Sequence, residues 1–276
     1  MPVSVLLVEG KLDAEVLNPV LGLLPVRLTL ERGGSKSSLK PKARDRRQGP
    51  ASVVACYLRD RDFDFDPPPS TAQPIVDSPW ETNAVLGWRW CRHELESYLL
   101  EPRLVEAATG WNAADYSREL LSAAQRLQPY TAARWAVGIA RRSLPPFTEL
   151  PTRPVELANE IQLPPDCSQS ACFSWVKQHV AGFRQQVEAT LEDTALQASL
   201  AERVQRLSSL TTTDEVLVWY SGKDLLAALS PLIATRPEAN PKAFRRQLSR
   251  WVQDRPQEAA ALFPEWQALL TALANS

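Results

Sequence analysis

"SVVACYLRDRDFDFD", residues 52–66, decides how the first part of this chain folds. Its first half is an apolar, β-branched run of the kind that forms a buried strand. Its second half alternates Asp60, Asp62, Asp64 and Asp66 with Arg61, Phe63 and Phe65. Like charges this close repel, so the cluster calls for something opposite that makes it worthwhile. Asp60 and Asp62 follow the strand directly. Alternate residues of an extended chain face the same way, so the two carboxylates are expected to point together. Asp64 and Asp66 precede Pro67, Pro68 and Pro69 and read as loop residues leaving the sheet.

Working outward, other apolar runs end in the same manner. "VSVLLVEG" (3–10) is a short buried strand delivering Glu9, and "AVLGWRW" (84–90) is a strand followed by "CRHELESYLL" (91–100) with Glu94 and Glu96. "KLDAEVLNPVLGLL" has apolar residues at helical spacing, with Pro19 expected to interrupt or bend the helix. "VRLTLE" alternates like a strand, and "RGGSKSS" reads as a loop. Strands alternating with helical patterns predict a parallel sheet, whose sites gather at the carboxyl ends of the strands. "DPPPSTAQPIVDSPWETN" (66–83) is proline-rich and polar and reads as a stiff exposed loop.

After residue 101 the character becomes helical. "AADYSRELLSAAQRLQ" and "YTAARWAVGIARRS" read as separate helices, a Pro-rich connector spans 144–169, and a long helical stretch runs over 170–210 without a sustained heptad. The expected organisation is an α/β core over 1–101 and a mostly helical region over 102–276. The chain has 276 residues, 44% hydrophobic and 23% charged, with a net charge of -1. Bulk charge therefore names no partner, and a nucleic-acid surface would have to be a local patch. The N-terminus lacks a basic n-region and its apolar run is too short for a signal peptide or a membrane span, so a cytoplasmic protein is expected, with no membrane partner. Cys56, Cys91, Cys167 and Cys172 form no CxxC pair and only two histidines accompany them, which argues against a zinc site. No Walker A motif occurs.

Carboxylates at several strand ends suit hard divalent cations, which prefer oxygen ligands and take one or two protein carboxylates each. A pair of such ions can clamp the attacking and leaving oxygens of a phosphodiester. Glu9, Asp60, Asp62, Glu94 and Glu96 are the candidate metal ligands. Asp13 ranks second to Glu9, as an early-helix residue favoured by the helix dipole. Arg32, Lys36, Lys40, Lys42, Arg44, Arg46 and Arg47 stand against a lone Asp45 and read either as a solvated helix face or as a nucleic-acid-binding, phosphate-contacting surface. His93 reads as a polar residue at a helix start ahead of a proton carrier, His179 as a plain helix histidine, and the tryptophans as core anchors.

"VEGKLD" (8–13) followed by "RDRDFD" (59–64) resembles the Toprim domain shared by topoisomerases, bacterial primases and the OLD-type nucleases. "RGGSK" (32–36) looks like the glycine loop of the OLD-type branch, "RHELESYLL" (92–100) is similar to its Glu-x-Glu-Asn-Tyr-Leu-Leu motif, and "SGKDLLAAL" (221–229) looks like its late Gly-Lys motif. The nearest resemblance is to the stand-alone Toprim effectors of PARIS-type anti-phage defence systems. It covers residues 3–100 and, by one motif, 219–229, which would return from the helical region to the Toprim site.

The resemblance implies a Rossmann-like Toprim fold binding Mg²⁺ or Mn²⁺. Glu9 would be a ligand or general acid/base and Asp60 and Asp62 ligands. Glu96 is favoured over Glu94 in the downstream pair, and Lys223 would offset charge developing on phosphate. It also implies hydrolysis of phosphodiesters in RNA, tRNA included, or DNA, under control of an ABC-type ATPase partner, and it admits a homodimer. Ser97 departs from the family's asparagine, and Pro19 falls where its first helix would continue. The rival expectation is a non-catalytic scaffold that binds an ATPase or nucleic acid.

Overall fold

The computed structural model describes residues 3–49, 53–80, 84–147 and 168–275. The α/β part contains β1 (Val5–Val8), α1 (Lys11–Leu21), β2 (Thr29–Arg32), α2 (Lys36–Gln48), β3 (Ala55–Arg59), β4 (Ile75–Trp80), β5 (Ala84–Arg89) and α3 (Leu95–Leu99). Helices follow: α4 (Pro102–Thr109), α5 (Ala113–Ser143), α6 (Gln169–Thr190), α7 (Asp193–Ser208), α8 (Thr213–Trp219), α9 (Gly222–Ala228), α10 (Ser230–Ile233), α11 (Pro241–Asp254), α12 (Pro256–Leu262) and α13 (Pro264–Asn275). The protein is thus a mixed α/β fold with an added helical region, as expected.

The strands form one sheet in the order β2-β1-β3-β5-β4. β1, β2, β3 and β5 are parallel, and β4 pairs antiparallel with β5 at the edge. The chain moves from β1 to one side to make β2, then crosses to the other side for β3. The topological switch point therefore lies between the carboxyl ends of β1 and β3, where such sheets place their ligands. Glu9 and Asp60 are the first residues beyond those two ends.

Alternation along β1 buries both faces of the sheet. Val5 and Leu7 pack with Leu39 and Ala43 of α2 and with Ala55, Tyr57 and Leu86, while Leu6 and Val8 are buried on the opposite face. Gly87 is required by this packing. A Cβ there would stand 2.3 Å from ring carbons of Tyr57, its partner across β3 and β5. Cys56 and Cys91 are buried, as core residues should be.

Four expectations change. The segment 66–83 is not wholly loop, because it contains β4. Prolines exclude a central strand but are tolerated on an edge, and Pro79 sits beside a register shift in the outermost strand. α1 runs through Pro19. The carbonyl of Glu15, which loses its intrahelical partner to the proline ring, accepts a hydrogen bond from the Gln253 side chain of α11 at 3.2 Å. The two helices read on either side of Pro129 are one helix, α5. The stretch 170–210 is broken into α6 and α7. The connector read over 144–169 lies, from 148 to 167, outside the described residues, as does Cys167.

The chain divides into two compact units, Met1–Thr131 with Val204–Ser276, and Ala132–Arg203. The change at residue 101 is thus a change of secondary structure, and the unit holding the sheet runs past it. In that unit α11 packs on α1 and α4, and α9 packs on α3. Trp90, Tyr98, Phe263 and Trp266 form an aromatic cluster joining α13 to the segment after β5. Glu265 seals the joint by accepting from the Cys91 N–H at 2.8 Å and from the Tyr98 hydroxyl. The other unit contains α6, in which no residue is buried. No helix among the described residues is long and apolar enough to cross a membrane.

Candidate metal centre

Asp60, Asp62 and Glu94 form a cluster at the carboxyl ends of the strands, each offering a carboxylate oxygen within 4.8 Å of the others. Their convergence does not come from alternation along an extended chain. β3 ends at Arg59, and Asp62 adopts the left-handed conformation at φ 50°, where Asp is among the few tolerated non-glycine residues. A tight loop thus replaces the extended run. The His93 carbonyl holds it by accepting the N–H groups of Arg61 at 2.9 Å and Asp62 at 3.1 Å. The His93 ring is fully buried, 4.2 Å from Phe63 and bonded to the Trp219 carbonyl, so this histidine shapes the loop.

Arg61 pins the same loop from beneath. It is completely buried and donates to the carbonyls of Cys91, Phe65 and Val218. Burial lowers its pKa to about 10, which leaves it cationic at neutral pH. Arg61→Met keeps the bulk and removes the donors. Each buried carbonyl left unpaired costs about 1–3 kcal/mol, so a clear fall in denaturant midpoint is expected, and an unchanged midpoint would show that water replaces the guanidinium.

Glu9 lies beside the trio. Its Oε1 accepts the Asp60 N–H at 3.0 Å and so ties the end of β1 to the end of β3. Burial raises the Glu9 carboxyl above its usual range, against the pull of that hydrogen bond. Asp13 caps α1 by accepting the Gly10 N–H at 2.8 Å, and burial raises its carboxyl too. Asp60 is raised well above the ordinary carboxylate range, first by burial and then by Asp13, Glu9, Asp62 and Glu94.

Glu94 and Glu96 part company. Glu94 is the residue before α3 and turns to Asp60 and Asp62, whereas Glu96 sits in the first turn of α3 and turns to Arg245 at 3.2 Å and Lys223 at 3.7 Å. The preference for Glu96 as ligand therefore gives way to Glu94, since the helix starts between them and ends the alternation. The Gly-Lys motif does return to this site. Glu94 accepts from the Ser221 hydroxyl at 2.7 Å, the Lys223 N–H at 2.8 Å and the Lys223 ammonium at 2.6 Å. Burial works against the Lys223 charge, but Glu94 and Glu96 outweigh it and raise its pKa.

Of the seven cations around α2, four are engaged within the protein. Lys36 pairs with Asp62 at 2.8 Å and with Asp64, which is thereby drawn to the site instead of leaving with the loop. Lys42 donates to the Gly33 carbonyl at 2.6 Å, Arg46 forks onto both oxygens of Glu31, and Arg47 donates to the carbonyls of Ala55 and Val85. Arg32, Lys40 and Arg44 are exposed. Sequence reasoning missed Ser221 and Arg245. Ser-Gly-Lys-Asp carries the signal of an N-cap serine, while Arg245 lies on a distant helix without any local cue.

Three carboxylates of hard oxygen donors, one with its charge strongly disfavoured, fit a divalent cation. Lys36 and Lys223 neutralise part of the cluster's charge. Comparison with known proteins adds no relative: no protein-family model matches the chain, and no curated protein matches it significantly.

Proposed function

We propose that this protein is a Toprim-type, Mg²⁺- or Mn²⁺-dependent nuclease of the OLD-type branch that hydrolyses phosphodiester bonds in RNA or DNA. The observation that carries the reading is the meeting of Asp60, Asp62 and Glu94, three residues from two separate strand ends, beside the switch point of a parallel sheet. The motif resemblance supports the Toprim assignment and extends the proposal to a cytoplasmic anti-phage effector restrained by an ATPase partner.

In this reading Asp60, Asp62 and Glu94 hold the ion, which would polarise a phosphate oxygen and acidify water. Glu9 fixes the Asp60 backbone, and burial, by raising its carboxyl, makes it a better proton acceptor than an ordinary glutamate. Lys223 remains cationic and half-exposed, so its ammonium is available to a phosphate whose negative charge grows during attack. Glu96 and Arg245 steady Lys223 from behind.

The test is cleavage of plasmid, single-stranded DNA and tRNA with Mg²⁺ or Mn²⁺. Glu9→Ala should lose on the order of 10²-fold, the size expected when a proton-transfer group is removed. Wild-type cleavage persisting unchanged in Glu9→Ala would remove this mechanism, whereas wild type that cleaves none of these substrates with either metal would favour the scaffold reading.

A further inference from the structure

Beside the carboxylate cluster, on the α2 side of the sheet, lies a cavity of about 520 Å³. α2 lines it with Lys36, Lys40 and Arg44, and the sheet lines it with Arg59 of β3 and Arg89 of β5. The acids facing it are Asp45 and Asp77. Asp62 and Asp64 answer Lys36 and one carboxylate, Asp77, answers both Arg59 and Arg89, so with Lys40 and Arg44 against Asp45 the concave surface keeps a small excess of positive charge.

The sheet side is held in place by a braced cluster. A register shift in β4 on either side of Ser78 takes Asp77 out of the regular pairing with β5. Its carboxylate accepts from Arg59 at 2.5 Å, Arg89 at 3.0 Å and the Tyr57 hydroxyl at 2.5 Å. Burial opposes the charge of Asp77, but these hydrogen bonds win and hold its carboxyl below the usual range. Phe65 stacks on the two guanidinium groups, 3.9 Å from Arg89 and 5.3 Å from Arg59. One carboxylate thus serves two arginines, and the Nε–H of each is buried with no hydrogen-bond partner among the described residues. Guanidinium planes pre-oriented by Asp77 and Phe65, opposite the exposed Lys40 and Arg44, are the chemistry that recognises phosphate. Lys36 belongs to both places, since it lines the cavity and pairs with Asp62 and Asp64.

We infer that this cavity is a phosphate-binding subsite that seats the backbone of a single-stranded nucleic acid next to the carboxylate cluster. The inference deepens the nuclease reading and rests on it for the identity of the ligand. A free nucleotide carries the same phosphate chemistry, so both sources enter the test.

The experiment measures binding in EDTA, which separates it from cleavage. A fluorescent single-stranded 12-mer, as RNA and as DNA, is titrated with full-length wild type, Lys40→Ala/Arg44→Ala and the control Lys242→Ala/Arg250→Ala. Both variants lose the same charge at exposed positions. The cavity variant should bind about tenfold or more weakly, and its slope of log K against log salt should fall by about 1.4, two phosphate contacts at about 0.7 each. RNA and DNA should respond alike, because backbone contacts carry no base information. The control should match wild type. Equal losses in both variants, or none in either, would overturn the subsite. Binding of ATP or pyrophosphate that depends on Lys40 and Arg44 while the 12-mer does not would overturn the backbone assignment. A wild type that binds the 12-mer through these residues but cleaves nothing would sink the nuclease reading and leave the subsite standing.

Discussion

Asp60→Asn should abolish the proposed metal-dependent cleavage and stabilise the metal-free protein. The loss of activity should exceed about 100-fold, the upper end for removing an outer partner of a metal ligand, because Asp60 is itself one of the three proposed ligands. The gain in stability has a separate cause. In the folded protein the Asp60 carboxyl is raised by burial and by four neighbouring acids, and Glu9, Asp13 and Glu96 are raised as well. A carboxyl with a raised folded-state pKa binds its proton there more readily than in the unfolded chain. The penalty for ionising it is absent below about pH 4, where both states are protonated, and complete above the raised pKa. Metal-free wild type should therefore lose thermal stability as pH climbs from about 4 through the raised carboxyl values, and Asp60→Asn should flatten that slope. Asp77 and Glu215 are lowered and act in the opposite sense, with stability lost as pH falls through their folded pKa values. Added Mn²⁺ should raise the Tm of wild type more at pH 8 than at pH 6, because protons and metal compete for the same oxygens. Thermal scans with and without Mn²⁺ check each statement. A metal-free Tm that rises with pH across that window would contradict the charge account.

Gly222→Ala is the second large effect, and it strikes fold and site together. A Cβ at this position would stand 2.4 Å from the Ser97 nitrogen and 2.6 Å from the Glu96 carbonyl carbon. Both are backbone atoms of α3, so no side chain can swing aside and α9 must move as a body. Overpacking costs about 1–3 kcal/mol when neighbours yield, and a backbone obstacle belongs at or beyond the upper end. A Tm shift of about 2–4 °C per kcal/mol follows for a unit of this size. The same movement pulls Ser221 and Lys223 away from Glu94, so cleavage should fall with stability. Gly182→Ala provides the contrast. Its Cβ would meet nothing within 4 Å and it lies inside α6, so it should be neutral or gain up to about 1 kcal/mol. Wild-type Tm and cleavage in Gly222→Ala would mean that the approach of α9 to α3 is not what seats the lysine.

β1, β3 and β5 were legible because each is a short, largely buried apolar run followed by an acid, whereas the partly exposed β2 was legible by alternation. β4 was not, because an edge strand survives with prolines that would exclude a central one. The acids of the site were legible as residues but not in their arrangement. Alternation predicts Asp60 with Asp62 and Glu94 with Glu96. A left-handed turn at Asp62 brings the first pair together by another route, and the start of α3 separates the second. The cations of α2 mislead in the same way. Composition counts charges, while Arg46 answers Glu31 and Arg47 threads to the carbonyls of neighbouring strands, partners fixed only when the sheet forms. Asp77 and Arg89 were hidden because their pairing depends on a register shift in a strand whose existence was itself obscured.

The most direct measurement is a crystal of the full chain grown with Mn²⁺ and recorded at a wavelength where manganese scatters anomalously. The account predicts a peak about 2.0–2.2 Å from carboxylate oxygens of Asp60, Asp62 and Glu94, with the Lys36 and Lys223 ammonium groups displaced from the carboxylates that bind. No peak at these three residues, at a Mn²⁺ concentration that supports cleavage, would contradict it.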